Sequence, residues 1–274
     1  LADLRYRYVD TSRGQLHVSE CDAAAGIPIV LLHWVPLSGH MYDRELPHFA
    51  ALGYRPLALD LMGFGRSSKR DGAWQIDDHA QAVAEALTAL HAADAVMLGG
   101  HFSASIAIEL ALDPALSARA VALDGSLLMP KEAFAAIRSR AEGLKGPGLH
   151  GDGSHRTWLW DQAVQVYEVF DRDFQVTDET VPVLYQFVQD YLATGFPKEM
   201  GTDAPYDFAA QLPKLTVPTL VLSSETEPLR PSYDAMLSVA PNSTGHLFPG
   251  GHPLHNPARD GEYAAAVHDF VSAL

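Results

Sequence analysis

Cysteine is all but missing from this chain of 274 residues: Cys21 stands alone. No internal disulfide can therefore form, and a reducing, cytoplasmic compartment is the expectation. Long apolar runs are missing too, since no stretch approaches the ~18 consecutive apolar residues that a membrane helix requires. The opening residues lack the basic segment followed by an apolar stretch that marks a secretion signal. Positive charge is scarce, with 19 Lys and Arg against 34 Asp and Glu and a formal net charge of −15. Such a surface repels phosphate backbones and anionic lipids, so neither nucleic acid nor a membrane is an expected partner. Histidines are present without a carboxylate cluster at ligand spacing, so no metal and no other cofactor is expected. Repeats and low-complexity tails are absent as well. What is there is a chain 47% hydrophobic, enough for one full α/β core with an insertion.

The apolar patterning orders the elements. Leu4 to Val9 and Gln15 to Glu20 alternate as an antiparallel hairpin at a sheet edge. Ile27 to Leu32 is a continuous apolar run suited to a strand buried on both faces, and Arg55 to Leu59, Ala95 to Leu98, Ala120 to Leu123, Val217 to Leu222 and Ser243 to Phe248 are read as further core strands. Helical spacing falls between them at Glu45 to Leu52, Ile76 to Leu90, the run ending at Asp113-Pro114, and Glu262 to Leu274. From about Ser126 to Leu212 strand signals stop. Helices are expected there at Glu132 to Glu142, Trp158 to Phe170 and Thr180 to Leu192, with a glycine-rich stretch from Gly143 to Gly153. The expected division is a core of residues 1–126 and 212–274 with a helical lid of residues 127–211. A lid so inserted covers the strand C-termini, where open α/β sheets bind ligands.

The most telling segment is Gly99-Gly100-His101-Phe102-Ser103, directly after an apolar strand and before a helix. A sharp strand-to-helix elbow needs small residues two places before and two places after its apex, because the apex side chain is pushed outward on a strained backbone. Gly99 and Ser103 meet this need around His101. Two other registers stay open, with Phe102 at the apex between Gly100 and Ala104, or with Ser103 as nucleophile. The distance to Pro114 ranks His101 first.

This organisation resembles the α/β-hydrolase superfamily over nearly the whole chain. The resemblance is carried by Val30-Leu31-Leu32-His33 with Pro36, by Asp60-Leu61-Met62-Gly63-Phe64-Gly65-Arg66-Ser67, by Val217-Pro218-Thr219-Leu220-Val221-Leu222, by Gly250-Gly251-His252, and by the elbow itself. It implies a mostly parallel eight-stranded sheet with helices on both faces and an inserted helical lid. The family's Gly-x-Ser-x-Gly is not present, and His101 stands where serine is usual.

The same resemblance assigns roles. His252 occupies the place of the catalytic histidine, a base able to move a proton near neutral pH when a carboxylate orients it. Glu227, in Ser224-Glu225-Thr226-Glu227-Pro228, takes the acid position first, and Asp124 at the end of the preceding core strand is the alternative. His33-Trp34-Val35-Pro36 stands where the family carries His-Gly-x-Pro, with Trp34 in place of glycine, and backbone N–H groups of this turn and of Phe102 are expected to form an oxyanion hole beside Ser103. Trp158, Trp160 and Tyr167 are candidates to line the pocket. His255 and His246 are expected to be exposed loop residues.

Three function classes follow. The first is an enzyme acting on a small carbonyl compound, such as an ester, a lactone or a carbon–carbon bond next to a carbonyl, with histidine replacing the serine step. The second is a cofactor-free dioxygenase or lyase driven by proton abstraction. Here the chain is similar to the hydroxy-oxoquinoline 2,4-dioxygenases in Asp124 and in Thr226-Glu227-Pro228, while those enzymes carry Ser-His-Gly-Gly where this chain has His101-Phe102-Ser103-Ala104. The third is a ligand-binding protein without catalysis. An oriented His252 argues against it, because binding alone needs no oriented base.

Overall fold

In the computed structural model, residues 3–21, 26–70, 72, 74–126, 128, 132, 150–172, 174–194 and 206–274 are described. Eight strands form one sheet, β1 (Leu4–Thr11), β2 (Gly14–Cys21), β3 (Ile27–Leu32), β4 (Tyr54–Leu59), β5 (Val96–Gly100), β6 (Ala120–Asp124), β7 (Thr219–Ser224) and β8 (Ser243–Phe248), in the order β1-β2-β4-β3-β5-β6-β7-β8. Strands β1 and β2 form an antiparallel hairpin, and β2 joins β4 antiparallel. All pairings from β4 across to β8 are parallel.

Strand alternation divides the core in two. Val30 and Leu32 of β3 and Met97 of β5 pack on one face, with α2 (Ile76–Ala89) and α3 (Phe102–Leu112). Ile29, Leu31, Val96 and Leu98 pack on the other, with α1 (Leu46–Ala51) and α8 (Glu262–Ser272). Each such side chain, fully buried, is worth about 1.5–3 kcal/mol relative to exposure. The α2 helix starts where Gln75 and Asp78 cap each other reciprocally, the Gln75 N–H donating to Asp78 Oδ2 at 2.8 Å.

Between β6 and β7 the chain inserts α4 (Ser154–Phe170), α5 (Val181–Thr194) and α6 (Phe208–Gln211). All but the first residue of the expected helix Glu132 to Glu142 and most of the stretch Gly143 to Gly153 lie outside the described residues. The helix α7 (Arg230–Val239) was not foreseen, because its one buried stripe is short and Pro231 stands near its start. No helix among the described residues is long and apolar enough to cross a membrane.

Register brings the chemistry to one rim. Leu32 pairs with Gly99, Gly100 with Asp124, and Asp124 with Leu222. The loops that leave β3, β5, β6 and β7 therefore start at one level, at the C-terminal edge of the sheet.

Candidate active site

One residue separates β5 from α3, and it is His101, at φ 51° and ψ −115°. A non-glycine residue held there costs about 1–3 kcal/mol. The His101 N–H donates to the Asp124 carbonyl at 2.8 Å, which ties the strained residue to the neighbouring strand. Gly99 makes room for the turn, since a Cβ there would lie 2.2 Å from the Ser103 carbonyl oxygen. The two competing registers are thereby corrected. Phe102 is the first residue of α3 and its ring meets His79 at 5.9 Å between centroids. Ser103 is fully buried, with its hydroxyl donating to the His33 carbonyl. Sealed from solvent and engaged with that carbonyl, Ser103 is not presented as a nucleophile in this geometry.

Two imidazole–carboxylate pairs stand at the rim. His101 Nε2 lies 3.0 Å from Glu227 Oε1, and the other oxygen of Glu227 accepts from Ser223 Oγ at 3.0 Å. A carboxylate only accepts, so Nε2 carries the proton and Nδ1 keeps a lone pair. Nδ1 makes no hydrogen bond to a described residue, and the side chain is 12% exposed. His252 forms the second pair, with Nε2 3.3 Å from Asp124 Oδ1 and 3.2 Å from Oδ2, both side chains sealed from solvent. The Tyr263 hydroxyl donates to Asp124 Oδ2 at 2.9 Å, and His252 Nδ1 accepts the Leu254 N–H at 3.3 Å. Both His252 nitrogens are thus engaged.

The expected pairing of Glu227 with His252 is corrected by this geometry. Along β6 the side chains of Ala120 and Ala122 face the α8 side of the sheet, and alternation sends Asp124 the same way, toward Tyr263 and His252. Glu227 instead reaches over Gly125 to His101. Burial alone would push the Asp124 carboxyl up, but its contact with His252, helped by the nearby His101 and the Tyr263 hydroxyl, holds it below the usual carboxylate range.

Gly125 makes the second contact possible. Its φ is +57°, and a Cβ there would lie 2.2 Å from Glu227 Oε1 and 2.7 Å from His101 Cδ2. Gly125→Ala is expected to cost about 1–3 kcal/mol through backbone strain and to split His101 from Glu227. Urea denaturation should show the loss of stability.

The turn after β3 is tied from within. His33 Nδ1 donates to the Trp34 carbonyl at 3.0 Å, and Nε2 accepts the Leu61 N–H at 3.0 Å. Burial pushes the His33 imidazole below its ordinary value, which keeps it neutral. His33 is therefore part of the scaffold. The Trp34 N–H donates to Met41 Sδ at 3.3 Å and so does not point at a ligand. The N–H groups of Val35 and Phe102 have no hydrogen bond to a described residue.

Rings close the site. Trp34 stacks on His101 at 4.3 Å and 7°, and stands edge-on to His252 at 4.9 Å and to His255 at 5.3 Å. A Cβ at Gly100 would lie 1.9 Å from Trp34 Nε1, so this stack needs glycine there. Phe170, at the end of α4, lies 5.3 Å from His101 and was not foreseen. His255 is buried, contrary to expectation, with Tyr167 edge-on at 5.0 Å. Burial and the neighbouring His252 and His101 push its imidazole well below the ordinary value. The 3₁₀ turn Pro253–His255 tucks it inward, which composition does not reveal. His246 is half-buried on β8. Trp158 and Trp160 are half-buried and meet Tyr191 and Tyr185 of α5 rather than His101.

The sheet order, the strained elbow and the rim of loops define an α/β-hydrolase fold. A family model described as the alpha/beta hydrolase fold matches residues 27–146. Haloalkane dehalogenase 2 of Mycobacterium bovis is 30% identical over 130 residues, which is 47% of this chain and 44% of that protein. The chain spans less than half the length of the curated relatives it matches. Among solved structures, a bromoperoxidase from Bacillus anthracis superposes with a TM-score of 0.78 at 18% identity, covering 98% of this chain and 100% of the other. An esterase from Exiguobacterium antarcticum does so with a TM-score of 0.76 at 17% identity, covering 99% and 100%.

Proposed function

We propose that the protein is an enzyme for a small carbonyl-containing substrate, an ester, a lactone or a carbon–carbon bond next to a carbonyl, with His101 as general base and Glu227 orienting it. The carrying observation is that His101 sits at the elbow apex with Nε2 on Glu227 and with Nδ1 bonded to no described residue. For an ester, Nδ1 takes a proton from water as the oxygen adds to the carbonyl carbon. The Val35 and Phe102 N–H groups face the oxyanion, and the leaving alkoxide takes the proton back from His101 when the tetrahedral adduct collapses. His252 and Asp124 hold the frame around this step. The inserted helices α4 and α5 serve as the lid over it. The names borne by the relatives, dehalogenase, bromoperoxidase and esterase, keep the substrate among small organic molecules.

The test is hydrolysis of p-nitrophenyl acetate in stopped flow. A linear onset that disappears in His101→Ala supports base catalysis, whereas a burst of nitrophenol equal to the enzyme concentration means that Nδ1 itself attacks and forms an acyl-imidazole. A second reading is favoured by an imidazole at the apex in place of a hydroxyl: abstraction of a substrate proton, followed by a lyase step or by reaction with dioxygen. Turnover of an ionisable carbonyl substrate is expected to continue under nitrogen. Stoichiometric uptake in an oxygen electrode would make the dioxygenase reading the correct one.

A further inference from the structure

The turn that carries Trp34 is also held from outside the core. From α5, 152 residues further along the chain, the Asp190 carboxylate accepts the Ser38 N–H on Oδ2 at 3.0 Å and the Ser38 hydroxyl on Oδ1 at 2.9 Å. Both side chains are buried. The next residue, Gly39, donates its N–H to Asp60 Oδ1 at 2.7 Å, and the Leu37 N–H closes back on the Trp34 carbonyl at 2.7 Å. Tethers at consecutive residues therefore fix where the turn lies. Asp60 is a tether within the core, and Asp190 is the tether that links the turn to the insertion.

We propose that Asp190 is a positioning residue for the site, in that it anchors the turn from Trp34 to Ser38 and so lays the indole on His101 and aims the Val35 N–H. The proposal rests on the reading of His101 as the base. A carboxylate is an unfavourable choice for an anchor at this place. Asp60 and Asp43 face it from the core and Tyr167 faces it from α4, while Lys69 Nζ is engaged with the Ala193 carbonyl. Burial first, and the repulsion of Asp60 and Asp43 next, push the Asp190 carboxyl up to about 7 against the pull of the two Ser38 hydrogen bonds.

The sign of the linkage gives a signature. Between the unfolded carboxyl pKa of about 3.9 and the folded value of about 7 the native chain holds a proton that the unfolded chain has released, so stability from this group falls as pH rises through that window. Asparagine keeps an acceptor for the Ser38 N–H and has no charge to bury. Asp190→Asn is thus expected to melt above the wild type at pH 8 and level with it at pH 5. A carboxylate that stabilised the fold in the ordinary way would give a loss at pH 8.

The experiment compares Asp190→Ala and Asp190→Asn by melting at both pH values, by hydrogen exchange of the amides of residues 37–39, and by p-nitrophenyl acetate hydrolysis. Expected are faster exchange at Ser38 and a fall in kcat of about tenfold or more for Asp190→Ala, with most of both losses recovered in Asp190→Asn. Ser38→Ala combined with Asp190→Ala should be no worse than Asp190→Ala alone. Wild-type exchange at Ser38 in Asp190→Ala, or exchange at Ser38 as fast in Asp190→Asn as in Asp190→Ala, overturns the proposal. Exchange and melting do not depend on turnover. If the wild type leaves the ester untouched while these two arms behave as expected, the assignment of His101 fails and the anchor stands.

Discussion

Replacing His101 with alanine is expected to lower kcat/KM for ester hydrolysis by about 10²–10⁴-fold, the usual contribution of a positioned general base. The fall should appear in kcat, because a base acts on the proton in the transition state and adds little to holding the ester. Glu227→Gln tests the same dyad from behind. Its amide can still meet Nε2, but it no longer stabilises the imidazolium that forms when Nδ1 takes a proton. Turnover should drop with KM nearly unchanged. If Glu227→Gln turns over like the wild type while His252→Ala abolishes turnover, the base is His252 and the reading of the apex is wrong.

The largest effect on stability is expected at the other pair. Asp124→Ala removes the acceptor of His252 Nε2 and of the Tyr263 hydroxyl in a region sealed from water. Breaking a buried pair by removing one partner costs about 3–5 kcal/mol, and urea denaturation at neutral pH should show a loss of that order. The pH dependence follows from the depressed carboxyl of Asp124. Its contribution is complete above the usual carboxylate pKa of about 3.9 and is lost as the pH falls through the lower folded value. Wild type and Asp124→Ala should therefore converge in stability at strongly acidic pH. Curves that run parallel down to pH 2 would show that Asp124 is not held as a carboxylate.

These two pairs also show where reading residues in order succeeds and where it stops. The elbow was legible because its constraint is local: an apex needs small residues at fixed offsets, and Gly99 and Ser103 supply them around His101. The strands were legible because β3, β5, β6 and β7 are apolar on both faces. Pairing across the rim was not. Glu227 can reach His101 only because Gly125 carries no side chain, and nothing in the spacing of Glu227 states that. Asp124 was open to inspection, since alternation with Ala120 and Ala122 sets its direction, but that becomes useful only once α8 is known to cover the same face. Asp190, Phe170, Tyr263 and the inward turn of His255 depend on contacts between distant segments. Composition and period carry no trace of them.

A serine introduced at position 101 would find no proton acceptor waiting. The His252 ring faces Asp124 with Nε2 and the Leu254 N–H with Nδ1, and the indole of Trp34 stands between its edge and the apex. Nor is Glu227 placed to help, since its reach ends where the imidazole of His101 now lies. Converting this chain to hydroxyl chemistry takes a rotated ring and a displaced indole as well as a changed codon.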